Sequence, residues 1–289
     1  MIEEIKSYKF KLDLQQEFEI LPIKDLYIKC GKMMTIPHRT DFYQILWFIK
    51  GNLTHLIDFE PVNIAPNTVL FLNKSIVQKF DKKSDPQGYA ILFTENFFCQ
   101  TQDDIKFLRD CILFNDFLSI PKINISKSPQ AFGRMFNLMR AEFSSKGNHY
   151  QGSVLKSLLH TLLLFSERER KNQDFIQVKK DIHFDYVVSF KELLESQFKK
   201  QKTVKAYANQ LYITPKKLNQ ATKKVLGKSP KQVIDERVLL EAKRLIVHTN
   251  KSIKEIGYTL GFDEPTNFIK FFKNHQQMTP FEFKEFNLR

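Results

Sequence analysis

Residues 203–230 read TVKAYANQLYITPKKLNQATKKVLGKSP, and residues 252–280, SIKEIGYTLGFDEPTNFIKFFKNHQQMTP, repeat the same pattern. Three apolar or small positions match at an offset of 49 residues: Val204, Ala208 and Leu211 align with Ile253, Gly257 and Leu260. The second copy has one extra residue in its middle, and the later matches are offset by 50 residues: Leu218, Thr222 and Pro230 align with Phe268, Phe272 and Pro280. Each copy therefore predicts two helices separated by a short turn.

The small residue inside each first helix, Ala208 or Gly257, allows the second helix to cross closely, as in a helix-turn-helix. Each copy is followed by an N-cap, a proline and a capping-box partner, in the segments SPKQ (229–232) and TPFE (279–282). Such signals predict that a further helix follows each unit. We place the units at about residues 203–227 and 252–277.

The charge of the chain is concentrated in the same region. The formal net charge is +13 over 289 residues, and residues 183–289 contain 20 Lys and Arg against 11 Asp and Glu. A basic excess favours an acidic partner, either nucleic acid or an anionic membrane surface. Length and composition are those of a globular protein with two domains of ordinary size.

The second helix of each unit has an apolar side and a polar side. Phe268, Phe271 and Phe272 fall on the inner side of the second copy, and Leu218 and Val225 on that of the first. The outer residues are candidates for DNA contact: Lys216, Lys217, Asn219, Gln220, Lys223 and Lys224 in the first copy, and Thr266, Asn267, Lys270 and Lys273 in the second. Lysine contacts phosphate, and Asn or Gln pairs bidentately with adenine. A solvated lysine face is the alternative, but repetition, the tight turn and the basic surroundings favour double-stranded DNA.

A continuous helix is predicted between the units, at residues 231–248. At 1.5 Å per residue it is about 27 Å long. A spacer of this length suits two recognition helices that lie roughly one DNA turn, about 34 Å, apart.

The first part of the chain, from residue 8 to about 95, predicts short strands separated by turns. The run YQILWFIKGNLTHLIDF (43–59) is rich in strand-forming residues and is interrupted by Gly51-Asn52, which predicts a hairpin. Further strands are predicted at Leu26 to Cys30, Thr68 to Asn73 and Tyr89 to Thr94. Many short strands with turns indicate a barrel or a double-sheet sandwich.

Two helices should follow the strands. The first begins at Ser128-Pro129 and runs to Ser145; the second is capped by Asn148 and extends to residue 165. A wide apolar stripe on the second helix contains Tyr150, Val154, Leu155, Leu158, Leu159, Leu162 and Leu163. Packing within the domain and a dimer seam at Leu155, Leu158, Leu159 and Leu162 both remain open. The charged segment 166–181 resembles a linker, and we place the linker at residues 171–182 between domains 1–170 and 183–289.

The last hundred residues resemble the DNA-binding domain of the AraC/XylS family of bacterial transcription regulators. The signature residues are Arg237 and Ala242, Gly261-Phe262, Phe268 and Phe272, and Thr279-Pro280. The resemblance covers roughly residues 185–286 and is specific. Two positions depart from the family pattern: Thr222 replaces a large apolar residue, which puts the packing of the first unit in question, and Gln277 replaces a glycine, which suggests a different turn.

Residues 37–59 are similar to the start of the cupin-like domain of this family. The resemblance implies an α+β protein: an N-terminal cupin-like β-barrel or jelly roll with following helices, and an all-α C-terminal domain of two helix-turn-helix units joined by a linker helix. It also implies an activator of transcription that acts as a homodimer with RNA polymerase. The effector permitted by the resemblance is a small molecule, a fatty acid-like ligand, or none.

The cupin-like segment lacks the usual metal ligands. Metal-binding cupins place His-x-His here and another His on a later strand, whereas this chain has His38, Thr40 and Gln78. We therefore expect neither a metal nor a cofactor. His38 and His55 are candidates for hydrogen bonds to a ligand in the barrel mouth, with Tyr43, Trp47 or Phe93 as an apolar wall, although an ordinary structural role is the commoner one for such residues.

Other function classes have weaker support. A cupin enzyme with a DNA-binding appendage would require a metal or a catalytic pair in the barrel, and no catalytic motif has convincing spacing. A non-specific architectural DNA-binding protein is the other alternative. Three cysteines without CxxC spacing, no apolar leader and no apolar run of membrane-spanning length predict a soluble cytoplasmic protein that does not enter a membrane.

Overall fold

The computed structural model describes residues 5–11, 16–74, 76–81, 86–115, 120–145, 149–173 and 181–288. The chain divides into two compact units. One comprises Lys6–Gln177, and the other comprises Val178–Arg289 together with the first five residues. The first unit contains strands and helices, and the second contains helices in the residues described. This arrangement confirms the predicted α+β class.

In the described residues of the first unit, ten strands form two five-stranded sheets. The strands are β1 (Lys6–Tyr8), β2 (Phe18–Pro22), β3 (His38–Thr40), β4 (Tyr43–Lys50), β5 (Leu53–Ile57), β6 (Glu60–Ile64), β7 (Thr68–Leu72), β8 (Gln78–Lys79), β9 (Gln87–Phe93) and β10 (Lys122–Asn124). Their order is β1-β3-β8-β5-β6 in one sheet and β10-β7-β4-β9-β2 in the other. All pairs are antiparallel except β1 with β3.

The side chains of β4 alternate between two cores. Leu46 and Phe48 belong to the core that contains Ile57 of the other sheet. Ile45 and Trp47 belong to a second core, formed with helices on the other side of the sheet. Because both faces of β4 are buried, the strand is a nearly continuous apolar run rather than an alternating one.

The hairpin predicted at Gly51-Asn52 is wrong. β4 pairs with β7 and β9, whereas β5 pairs with β6 and β8, so the turn carries the chain from one sheet to the other. The reason is that both edges of β4 are already occupied by neighbours whose apolar side chains complete the same sheet. The hairpin that does form joins β5 to β6.

The strand predicted at Leu26 to Cys30 is also wrong, because these residues belong to helix α1 (Ile23–Met34). Ile23 and Met34 are buried, and Leu26 and Tyr27 pack partly buried against the same core. Positions 23, 26, 27 and 34 share one side of a helix, a spacing that a short apolar run conceals. The strands predicted near Thr68 and Tyr89 are confirmed as β7 and β9.

In the described part of the first unit, four helices follow β9: α2 (Glu95–Phe98), α3 (Gln102–Asp110), α4 (Pro129–Ser144) and α5 (Gln151–Lys171). The predicted start of α4 at Ser128-Pro129 is confirmed, although the Ser128 side chain makes no capping bond. The predicted cap Asn148 lies outside the described residues. Residues 166–171, assigned to the charged linker segment, belong to α5, since Ser166, Glu167 and Arg170 are buried there. The Glu167 carboxylate accepts a 2.9 Å hydrogen bond from the Ile112 amide, which explains its burial.

The second unit contains seven helices in its described residues: α6 (Ile182–Gln197), α7 (Val204–Gln210), α8 (Pro215–Leu226), α9 (Pro230–His248), α10 (Ile253–Thr259), α11 (Pro265–Gln276) and α12 (Pro280–Leu288). The two predicted helix pairs and the helix between them are confirmed. Both predicted capping boxes form, at Ser229 with Gln232 and at Thr279 with Glu282. None of the helices in the described part of the chain has the length and apolarity that a bilayer span requires.

Candidate functional site

The first helix-turn-helix consists of α7 and α8. The Thr203 side chain caps α7, and the Thr214 side chain caps α8 by accepting a 3.2 Å bond from the Lys217 amide. Between the helices, the Ile213 amide donates a 3.0 Å bond to the Ala208 carbonyl. These local bonds fix the turn.

The second unit, α10 and α11, repeats this turn. The Phe262 amide donates to the Gly257 carbonyl at 3.0 Å, in the position of the Ile213 bond. A side chain at Gly257 would place its Cβ only 3.2 Å from the Cβ of Phe268, so glycine permits α11 to cross closely. The role predicted for the small residue of this copy is confirmed.

The structure exposes nine of the ten residues that the sequence nominates for DNA contact. Asn219 is the exception and is half-buried; the exposed ones are Lys216, Lys217, Gln220, Lys223, Lys224, Thr266, Asn267, Lys270 and Lys273. The opposite sides of the helices are buried through Leu218, Phe268 and Phe272. Phe271 and Val225, predicted inside, are only half-buried.

The cations of this surface differ in their partners. The Lys224 ammonium lies 2.6 Å from the carboxylate of Asp181, the N-cap of α6, and this hydrogen bond is the main reason that the pKa of Asp181 is lowered. Lys216, Lys217, Lys223, Lys270 and Lys273 make no side-chain hydrogen bond or ion pair with the described part of the chain. Five cationic groups are therefore available to phosphate, and the sixth is held by Asp181.

Both departures from the family pattern are accommodated. Thr222 is fully buried, and its hydroxyl donates to the Asn219 carbonyl, so the first helix-turn-helix packs without leaving this hydroxyl unpaired. Gln277 ends α11 with φ 59° and ψ 15°, close to the values of 70° and 6° at Gly227, which ends α8. The expectation of a different turn is wrong: the turn is the same, with a residue that tolerates it less well.

Sequence reasoning did not identify one exposed residue of the first helix-turn-helix as a candidate for DNA contact. Tyr212 lies in the turn with φ 55°, and 96% of its surface is exposed. A bulky residue is uncommon in this left-handed region. The alignment at an offset of 49 residues contained the signal, because it pairs Tyr212 with Gly261.

The linker helix α9 packs through a charged cluster. Arg237 contacts Glu195 of α6 at 2.6 Å and lies 3.9 Å above the ring of Phe198. Glu241 is buried and lies within 3.3 Å of Arg237 and 3.1 Å of Arg244. The signature arginine therefore has a structural position that joins α9 to α6.

The first unit contains a cavity of about 230 Å³ beside β1, β2, α1, β3 and β4. His38 lines it, but the other candidate ligand residues do not. Tyr43, Trp47 and Phe93 belong to the core against the helices, on the other face of their sheet. The expected shared wall is therefore wrong, because adjacent residues of a strand point to opposite faces.

His55 is buried in the core rather than at the cavity. Its Nε2 lies 3.0 Å from Oε1 of Gln78, and its ring packs edge-on against Phe80 at 4.3 Å. Burial lowers the pKa of His55 to about 4, so the ring is neutral near pH 7. Among the described residues there is no group of three or more His, Cys, Asp or Glu side chains that could hold a metal ion.

The leucines proposed for a dimer seam lie inside the unit. Leu155, Leu159 and Leu162 are fully buried, and Leu158 is partly buried against the same core. They therefore cannot form an intermolecular seam without opening the domain. The apolar residues that α5 does expose are Val154 and Leu164, with Tyr150 just before it.

Comparison with known proteins places both units. A family model described as an AraC-like ligand binding domain matches residues 33–163, and one described as a helix-turn-helix domain matches residues 207–285. The chain belongs to the AraC/XylS family. This AraC/XylS protein is 30% identical over 92 residues to an uncharacterized HTH-type transcriptional regulator, YisR, of Bacillus subtilis, a match that covers 32% of each chain.

Two further relatives of this AraC/XylS protein are called activators. The lactose operon transcription activator of Staphylococcus xylosus is 27% identical over 130 residues, which cover 45% of this chain and 44% of the relative. The activator RhaS of Enterobacter is 20% identical over 257 residues, or 86% of this chain and 87% of the relative. The chain thus spans about a third of the length of the Bacillus relative and under half of the Staphylococcus one. The solved structure of ToxT from Vibrio cholerae is 13% identical, with a TM-score of 0.44 and coverage of 94% and 97%.

Proposed function

We propose that this protein is a sequence-specific, DNA-binding regulator of transcription and not an enzyme. The observation that carries the proposal is the exposed polar face of α8 and α11, two repeated helices that each follow a tight turn. Five of their six lysines make no side-chain hydrogen bond or ion pair with the described residues. Lysine neutralises phosphate, and Asn or Gln reads base edges. The names of its relatives support activation as the direction of control.

The roles on this face follow from position along each helix. Thr266 and Asn267 are in the first turn of α11, the end that enters the major groove, and Lys273 lies about two turns later. We assign Asn267 and Gln220 to base contact, and Lys273 and Lys223 to phosphate. Tyr212 lies in the turn between α7 and α8. We assign its ring to contact with the DNA backbone, since nothing within this helix-turn-helix offsets the cost of its exposure and conformation.

Three partners complete the proposal. The small-molecule effector occupies the cavity lined by His38, where binding energy can bias the regulator between states. A second copy of the chain docks on the exposed side of α5. RNA polymerase is the partner expected of an activator, and a cytoplasmic location follows from these roles.

Selection of preferred sites from a random duplex pool tests the function, with the full-length wild type and two variants. Asn267→Ala should cost about 1–3 kcal/mol on the selected site and relax preference at one base pair. Lys273→Ala should weaken selected and random DNA alike and reduce the salt slope by about one. If the wild type enriches no motif yet binds duplex, the protein is an architectural binder. If it binds no duplex at low salt, the proposal fails.

A further inference from the structure

The cavity of the first unit has a mostly apolar wall. Six of its residues are Leu21, Leu26, Met33, Met34, Phe42 and Leu92. Its volume of about 230 Å³ lies below the 300–1,000 Å³ of sites for drug-sized ligands, so its ligand is smaller than these. Two methionines in the wall make it adaptable in shape.

A chain of hydrogen bonds fixes the orientation of Gln44 in this wall. The Phe42 carbonyl can only accept, so the Thr40 hydroxyl donates to it at 3.1 Å. The same hydroxyl oxygen then accepts from Gln44 at 3.0 Å, which assigns the NH2 group to that contact. The carbonyl oxygen Oε1 of Gln44 is left without a hydrogen bond to any described residue, although Gln44 is only 4% exposed.

The same reasoning applies to His38, which is 3% exposed. Its Nδ1 lies 2.9 Å from the Ile36 carbonyl and must therefore carry the proton. Burial lowers the pKa of His38, so the ring is neutral near pH 7 and its Nε2 is an acceptor. None of the described residues hydrogen-bonds to this nitrogen.

The cavity thus has two buried acceptors and the buried hydroxyl of Tyr8, which can donate or accept, and its charged groups lie on more exposed residues. Lys9 and Lys11 are exposed, and Lys11 pairs with Glu19 at 3.0 Å. A carboxylate placed against Nε2 or Oε1 would bring lone pairs together and lose its hydration, whereas an O–H or N–H group would satisfy the acceptor to which it donates.

We propose that the cavity binds a small, uncharged, largely apolar molecule whose hydroxyl or N–H group donates to Gln44 Oε1, with His38 Nε2 as the acceptor for a second donor. This inference rests on the proposed function only for its regulatory consequence. The chemical selectivity of the cavity follows from its own hydrogen bonds and can be measured without DNA.

Matched probes in the full-length protein test the selectivity. Para-cresol and cyclohexanol carry the hydroxyl; para-toluate and cyclohexanecarboxylate carry a carboxylate; para-xylene and methylcyclohexane carry neither. Met33 and Met34 are two of six methionines in the chain, so labelled methionine methyl groups report occupancy by NMR, assigned through Met33→Leu and Met34→Leu. We expect the hydroxyl probes to shift these two methyl signals with the lowest dissociation constants of each series.

The substitution Gln44→Leu removes one acceptor at similar volume. It should weaken the hydroxyl probes about tenfold relative to the hydrocarbon probes, which also report that the cavity is intact. Gln87→Leu makes the same change at an exposed strand residue and should leave every probe unchanged. Fluorescence of Trp47, the single tryptophan, checks the fold of each variant.

Three results would overturn the inference: carboxylates that bind as tightly as the hydroxyl probes, hydroxyl binding that Gln44→Leu does not change relative to hydrocarbons, or no shift of either methyl group at millimolar probe. The regulatory role is judged separately, by DNA affinity with and without the tightest probe. Selective occupancy without a change in DNA affinity would leave the ligand class standing and refute effector control.

Discussion

The ammonium group of Lys202 donates a 2.7 Å hydrogen bond to the carbonyl of Gly261, 59 residues further along the chain. It also lies 3.1 Å from the Lys199 carbonyl and 5.0 Å from the centre of the Phe262 ring. A side chain at Gly261 would place its Cβ 1.9 Å from that Lys199 carbonyl. The loop before the first helix-turn-helix therefore packs against the turn of the second and is hydrogen-bonded to it.

Replacing Lys202 by methionine removes the hydrogen bond to Gly261 and should weaken this contact between loop and turn. Hydrogen bonds from a charged donor contribute about 1.5–3 kcal/mol to stability, and partial exposure of Lys202 reduces that figure. We therefore expect the free energy of unfolding of the second unit to fall by about 1–2 kcal/mol. Amide hydrogen exchange in α7 and α10 measures it. Lys205→Met, at an exposed lysine of α7, is the control. Equal protection in the two variants would contradict the role of Lys202.

Lys223 and Lys224 are neighbours in α8 with different expected effects. Lys223→Ala should lower the salt slope of DNA binding by about one, because each neutralised phosphate contributes about 0.9. Lys224→Ala should lower it by less, since Asp181 holds Lys224 at 2.6 Å. Asp181→Asn keeps a capping side chain but frees Lys224, and should raise DNA affinity. Equal slopes for the two alanine variants would show that the pair opens on DNA.

Tyr212→Gly should have opposite effects on stability and on binding. Glycine relieves a left-handed conformation that costs other residues about 1–2 kcal/mol, so thermal stability should rise. DNA affinity should fall about tenfold if the ring contacts the backbone. Gln277→Gly relieves the same kind of strain at the end of α11 and should raise stability with unchanged affinity. If Tyr212→Gly binds as well as wild type, the assignment of Tyr212 is wrong.

The proposed homodimer uses the exposed side of α5. Val154 and Leu164 are 38% and 49% exposed, so Val154→Asp with Leu164→Asp should give a folded monomer in sedimentation. Leu159→Asp introduces a charge into the core and should unfold the first unit instead. A monomeric wild type at micromolar concentration, or a double variant with dimer mass, would exclude this interface.

Acid should destabilise the first unit through His55. Its pKa is about 4 in the folded state against 6.5 for an unperturbed histidine, so the unfolded chain binds the extra proton between these values. The contribution of neutral His55 to the free energy of unfolding is complete above pH 6.5 and is lost as the pH falls to 4. At 1.36 kcal/mol per pKa unit, the loss is about 3 kcal/mol.

Urea unfolding followed by Trp47 fluorescence measures this loss, because the single tryptophan is buried in the first unit. In His55→Gln the pH dependence should be shallower by that amount. His149→Gln, at an exposed histidine, should keep the wild-type slope. Identical slopes in His55→Gln and wild type would contradict the prediction.

The sequence by itself determined the helices and turns of the second unit. Helix starts, capping boxes and the turn bonds at Ala208 and Gly257 depend on residues within four or five positions of each other, and such local interactions are legible in a repeat. The outward direction of Lys216, Thr266 and their neighbours follows from the helical period alone. Family membership followed from the same local signals.

Tertiary structure alone decided what depends on distant residues. The periodicity of β4 does not indicate that β7 and β9 occupy its edges, and so the sequence at Gly51 predicts a hairpin that does not form. An apolar stripe does not reveal its partner, and so Leu155 and Leu159 could be assigned to a dimer when their own core covers them. The ion pair of Asp181 with Lys224 joins residues 43 positions apart, and the hydrogen bond from Lys202 to Gly261 joins residues 59 positions apart. Such contacts form only once the chain has folded, because no local pattern encodes which side chains burial will bring together.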